Sequence, residues 1–239
     1  MSSYCIRSTE LLLLPGMMCD ERLWSQQVAA LAADCRVHCG DITQDNSIAA
    51  IAERVLDAAP PRFALAGLSM GGIVAMEIMR SAPERVERLA LLDTNFRADN
   101  PERKVQRNRQ LTELGALGLE QLMRDELLPA YLAHEHPDTQ QILDEVLDMG
   151  LRLGDEVFVR QSIALRDRLD SSSVLAGIDC PTLVLCGEQD RLCSVELHRE
   201  MAEKISGSSL QVIPHCGHLA TMEQPGRVIA EMRYWLYSD

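Results

Sequence analysis

The chain has 239 residues and a formal charge of −13, from 23 basic and 36 acidic side chains. A body this acidic repels phosphate backbones and anionic lipid, which speaks against nucleic-acid and membrane-surface roles. Aromatics make up only 4%, so the core of a chain this size must be built mainly from Leu, Ala, Ile, Val and Met.

Short apolar runs alternate with helical patterns. Strands are predicted over 11–14, 36–39, 63–68 and 89–92, all read as buried on both faces because polar alternation is weak. Between them, 23–33, 48–59 and 71–81 carry apolar residues at helical spacing. From 96 to 172 the pattern is helical throughout, broken at Gly115, Gly118, Pro129, Pro137 and Gly154, with Ile142, Val146, Met149 and Leu153 on one helix face. Strands then resume over 182–186 and 210–213, flanking a helix over 195–205, and a last helix covers 226–237. Alternating strand and helix predicts an α/β fold, a parallel sheet of about six strands with right-handed crossovers. The expected division is a core of 1–95 and 173–239 and a helical cap of 96–172.

The segment before Leu11 is polar, and the run over 11–14 ends at once in Pro15-Gly16, unlike a secretory signal. No apolar run approaches the roughly 18 residues of a membrane span. The eight cysteines include no C-x-x-C pair, which argues against a zinc site, and reduced thiols suit an intracellular protein. A cytoplasmic location is the expectation.

The informative motif is Gly67-Leu68-Ser69-Met70-Gly71, a G-x-S-x-G that ends a strand and opens a helix. A serine there sits on a tight turn that lifts its hydroxyl clear of the sheet, and a side chain at either glycine would strike backbone. Ser69 is therefore the expected nucleophile, with the Met70 N–H as a donor to a developing oxyanion. A serine needs a base, and His218, in Cys216-Gly217-His218 just after the last strand, stands at the same sheet edge. His215 is a nearer neighbour of that strand and a rival. His38, His134, His136 and His198 fall in a strand, the insert and a helix. The acid that orients the histidine is expected at Asp190, after the strand over 182–186, and Asp93, which ends the strand over 89–92, competes for the role. A second oxyanion donor is expected at the Met17 N–H, in the turn that leaves the first strand; a plain Pro-Gly turn is the alternative.

Taken together, Pro15-Gly16-Met17, the G-x-S-x-G, Gly187-Glu188-Gln189-Asp190, Cys216-Gly217-His218 and Glu223-Gln224-Pro225 resemble the α/β-hydrolase superfamily along nearly the whole chain, in its order of serine, acid, histidine. Within it the pattern is similar to the small carboxylesterases, among them pimeloyl-carrier-protein methyl ester esterases. The resemblance implies hydrolysis of a small-molecule ester through an acyl-enzyme, without metal or cofactor; acyl transfer, thioester hydrolysis, lyase chemistry or a non-catalytic receptor are alternatives on the same fold. It also implies that the insert after Asp93 caps the site. Leu119, Leu122, Met123, Ile142, Val146 and Met149 are placed to give that cap apolar faces; for most of them sealing the cap onto the core is favoured over substrate contact, and a lid lined in this way is expected to prefer aliphatic acyl groups. Two departures stand out. The family commonly has His-Gly where this chain has Pro15-Gly16, and its usual N-terminal hairpin must be stunted or absent here.

Overall fold

The computed structural model describes residues 9–133 and 136–238. Six strands, β1 (Thr9–Leu14), β2 (Cys35–Cys39), β3 (Phe63–Leu68), β4 (Val86–Leu92), β5 (Thr182–Gly187) and β6 (Ser209–Ile213), form one sheet in the order β2-β1-β3-β4-β5-β6. Every pairing is parallel. Parallel neighbours need crossovers, and helices supply them: α1 (Ser25–Leu31), α2 (Ile48–Ala58) and α3 (Met70–Ser81) before the insertion. The order turns back at β1, so the C-terminal ends of β1 and β3 open side by side, where such sheets bind their ligands.

The strand positions agree with the periodicity, with one correction. The inner strands β3 and β5 are buried at every residue, but β2 and β6 are not buried on both faces. They are the sheet's two edges, covered on one side only, and burial depends on a strand's place in the sheet, which a run of apolar residues does not encode. The expectation about an N-terminal hairpin falls on residues before Thr9, outside the described residues.

Between β4 and β5 the chain is helical: α4 (Pro101–Leu117), α5 (Leu119–Leu122), a π-helical turn (Met123–Leu127), a 3-10 turn (Leu128–Ala130), α6 (Thr139–Leu153), α7 (Asp155–Arg166) and α8 (Ser172–Leu175). Asn100 caps α4 by accepting from the Arg103 N–H. Gly118 and Gly154, at φ 77° and 81°, end α4 and α6 in conformations that an L side chain resists. Gly115 does not interrupt its helix. After β5 come α9 (Val195–Lys204), α10 (Ala220–Glu223) and α11 (Pro225–Tyr237). Among the described residues no helix is long and apolar enough to cross a membrane.

Candidate active site

Backbone strain is concentrated at one edge of the sheet. The described non-glycine residues with positive φ are Met18, Ser69, Asp93 and His215, which follow β1, β3, β4 and β6. Such conformations cost on the order of 1–3 kcal/mol each and persist where the surroundings enforce them. At Ser69 the enforcement is visible. A Cβ on Gly67 would lie 2.3 Å from the Gly71 carbonyl oxygen, and one on Gly71 would lie 2.2 Å from that of Leu14. The serine turn thus packs backbone to backbone against the turn leaving β1. Gly187 plays the same part between the acid and histidine loops, where a Cβ would lie 2.0 Å from the Gly217 carbonyl oxygen.

These turns bring three predicted side chains into line. Ser69 Oγ lies 2.8 Å from His218 Nε2, and His218 Nδ1 lies 2.8 Å from Asp190 Oδ2. Asp190 Oδ1 accepts the Leu192 and Cys193 N–H groups at 2.8 and 2.9 Å, which fixes the carboxylate. With Asp190 accepting at Nδ1, the His218 proton sits there and Nε2 faces the serine as an acceptor. Asp190 and His218 are buried and Ser69 is partly open.

The rivals are placed elsewhere. Asp93 is fully buried, and its Oδ1 accepts the Gly187 N–H at 2.8 Å, so it braces the start of the acid loop. Burial, and then the charge of Asp190, push its carboxyl well above the usual carboxylate range. His215 is exposed on its strained turn. His38 pairs with Glu10 at 2.6 Å at the sheet edge, and His136 Nε2 lies 2.9 Å from the Glu223 carbonyl oxygen. His134 lies outside the described residues. His198 is buried, with Nε2 accepting the Thr94 N–H at 3.0 Å and Nδ1 donating to Ser194 O at 2.9 Å. That pairing requires a neutral ring, and burial lowers its pKa accordingly.

Several supports carried no recognisable signal. Thr94 Oγ1 donates to the Ser69 carbonyl at 2.6 Å, and Gln161 Oε1 accepts the Met18 N–H at 2.9 Å, tying the β1 turn to α7. Glu223, buried, accepts the N–H groups of Ala133, Gly217 and Leu219 at 2.7, 2.9 and 3.1 Å. It therefore clamps both residues that flank His218 to the insertion. Tyr131 stacks on the His218 ring at 5.8 Å between centroids, and its carbonyl accepts the His218 N–H at 2.7 Å. Glu223 stands in the Glu223-Gln224-Pro225 run, but a sequence carries no sign of this role, because a buried carboxylate among backbone donors arises only on folding. Among the described residues the Met17 and Met70 N–H groups donate to no protein acceptor, so both remain available. Asp190, Cys193 and His218 also bring metal-ligand atoms within 4.8 Å of one another. Burial and the Asp190 charge push the Cys193 thiol far up, so it is a protonated thiol and a poor ligand.

Above Ser69 and His218 a cavity of about 550 Å³ opens, and its lining is mixed, with Ile73, Leu165, Leu192 and Leu197 beside several arginines. Leu119, Leu122, Met123, Ile142, Val146 and Met149 are all buried in the hydrophobic core, and none of them lines the cavity. An apolar helix stripe is drawn to other apolar stripes, and these six seal the insertion internally and onto the sheet domain. The cavity instead meets the polar face of α4 and the chain before and after it, including Arg97, Asp99, Arg103, Arg107 and Arg168, with Arg191 from the acid loop.

A model of the alpha/beta hydrolase family matches residues 11–231. The chain belongs to the α/β-hydrolase family. Among curated α/β-hydrolases it is similar to a pimeloyl-[acyl-carrier protein] methyl ester esterase of Vibrio parahaemolyticus, 28% identical over 94% of this chain and 92% of that one. Among solved structures, a thermophilic esterase from Thermogutta terrifontis, with malate bound, superposes with a TM-score of 0.86 at 31% identity, over 96% of this chain and 89% of the other. The enol-lactonase from Burkholderia xenovorans LB400 gives the same TM-score of 0.86 at 23% identity, over 96% and 91%, a likeness of fold. The α/β-hydrolase described here is accordingly an enzyme, a serine hydrolase of carboxylesterase-like kind.

Proposed function

We propose that this α/β-hydrolase cleaves carboxylic esters through an acyl-enzyme on Ser69. The observation that carries the reading is the unbroken line from Ser69 Oγ through His218 to Asp190, with both contacts at 2.8 Å. His218 Nε2 takes the hydroxyl proton as Ser69 Oγ attacks the ester carbonyl, and Asp190 supports the imidazolium that forms. The oxyanion of the tetrahedral intermediate is held by the N–H groups of Met17 and Met70. The intermediate collapses with loss of the alcohol, which receives its proton from His218, and leaves the acyl group on Ser69. Water, deprotonated by His218, then releases the acid by the same sequence in reverse. The residues 96–172 serve as the cap that walls this chemistry from above. The free thiols of the described cysteines fit a reducing, cytoplasmic setting.

Turnover of p-nitrophenyl butyrate tests the reading, with and without an added alcohol. Release of butyrate supports hydrolysis, a butyrate ester of the added alcohol marks an acyltransferase instead, and no turnover of any ester series overturns the reading.

A further inference from the structure

The cavity over Ser69 carries a charge opposite to that of the molecule. In a chain of net charge −13, it is lined by Arg97, Arg103, Arg107, Arg168 and Arg191, and among the described residues the only carboxylate in its lining is Asp99. Asp99 is already divided. Its Oδ2 accepts Arg107 Nε at 2.6 Å, and its Oδ1 pairs with Arg168 Nη1 at 2.6 Å. All three side chains are at least nine-tenths buried. Two buried guanidinium groups therefore share one carboxylate, and a buried charge without a partner is costly enough that folds do not retain it idly.

The remaining donors face the same space. Among the described residues, Arg107 Nη2 and Arg168 Nη2 have no protein acceptor. Arg103, one helical turn before Arg107 on α4, donates only to the Gln106 side chain, at 2.7 Å, and has no carboxylate partner among the described residues. Arg97 is taken by Glu200, and Arg191 by the carbonyls of Pro129 and Leu132. The free cationic capacity thus lies at Arg103, Arg107 and Arg168, on the wall made by the insertion.

Resting on the ester-hydrolase reading, we infer that the substrate is itself an anion: a half-ester whose free carboxylate is bound by Arg103, Arg107 and Arg168 while its ester carbonyl lies at Ser69. The match is chemical. Guanidinium forks bind carboxylates through paired N–H donors, and Asp99 already shows two of these arginines gripping one. A cavity of about 550 Å³ has room for a small dicarboxylic half-ester. The surrounding negative charge would repel such a substrate, so the arginines also supply the local attraction that draws it in.

The test compares mono-p-nitrophenyl glutarate with its neutral methyl ester, and glutarate with inorganic phosphate as ligands in thermal melts. The protein is expected to favour the half-ester in kcat/KM by about 10- to 100-fold, the range of one or two charge-assisted hydrogen bonds. Arg103→Gln should reduce that ratio at least about tenfold, mainly through KM, and added salt should reduce it in the wild type. Glutarate should raise the melting temperature of the wild type and of Ser69→Ala, and less so that of Arg103→Gln. Equal use of the two esters, an unchanged ratio in Arg103→Gln, or stabilisation by phosphate without glutarate overturns the inference. Failure to hydrolyse either ester overturns the esterase reading alone, because the glutarate melts then still decide whether the anion site exists.

Discussion

Two walls of one cavity are built by different physics. On the sheet side, Ser69, Asp190 and His218 stand on turns whose backbones are fixed by strand ends, by strained φ angles and by glycines in backbone contact. On the insertion side, Arg103, Arg107 and Arg168 are placed by helix packing, and Asp99 holds the latter two. The first wall is set by main-chain geometry, the second by side-chain pairing within the insertion. In the proposed reading bond-breaking belongs to the sheet edge and selection to the insertion, and each substitution below probes one side of it.

The largest effect is expected at Ser69, the proposed nucleophile. Ser69→Ala should lower kcat for p-nitrophenyl butyrate by about a million-fold if the triad acts as a unit. Residual turnover within tenfold of wild type, in a preparation free of contaminating esterase, would break the assignment of chemistry to this wall.

Next come the two aspartates, both buried, Asp93 directly after β4 and Asp190 in the loop after β5. Asp190→Asn should cost about ten-thousand-fold in kcat, because an amide partner leaves His218 in the wrong tautomer. Asp93→Asn should cost less than about tenfold, since an asparagine oxygen can still accept the Gly187 N–H. It should also change stability with pH. The folded carboxyl titrates well above its unfolded value, so wild-type stability falls as pH rises above about 4 and through the folded pKa. Chemical denaturation across that range should show the Asn variant losing less.

Glu223→Gln sits where the two walls are joined. Turning one carboxylate oxygen into a donor sets it against backbone N–H groups of Ala133, Gly217 or Leu219. A loss of about 1–3 kcal/mol in urea unfolding is expected, with reduced activity as the His218 loop loosens. Unchanged stability would mean that insertion and histidine loop are not coupled there.

The smallest effect is that of His198, neutral in the fold and outside the Ser69–His218–Asp190 line. Its folded pKa is depressed, so the stability it supports is present above about 6.5 and is lost as pH falls below that value. His198→Gln should flatten this acid limb of the stability profile, read by melting temperature between pH 7 and 5.

The same division explains what could be read from sequence. The inner strands, α3, and the positions of Ser69, Asp190 and His218 were legible because each depends on local signals: an apolar run, a glycine pair, a loop just past a strand end. Asp93 and Asp190 could be ranked but not separated, because one directly follows β4, the other lies in the loop after β5, and only the packed loops decide which carboxylate meets the ring. The arginine wall was not legible. Arg103 and Arg107 are one turn apart on α4 and look like an ordinary solvated face, while Arg168 follows α7, some sixty residues on. Their meeting depends on how the insertion folds back on itself. The six apolar residues of the insertion are legible as buried helix faces, and they seal it as their stripes favour; periodicity shows that a face is buried, not whether substrate or another helix covers it.

The most direct test of the central claim is covalent. A fluorophosphonate reagent should inactivate the protein and leave one phosphonyl group on the peptide containing Ser69, found by mass spectrometry after digestion. Ser69→Ala should carry none, and His218→Ala should react far more slowly, because the serine is then without its base. An adduct on another residue, or full esterase activity in protein whose Ser69 is wholly modified, would contradict the account.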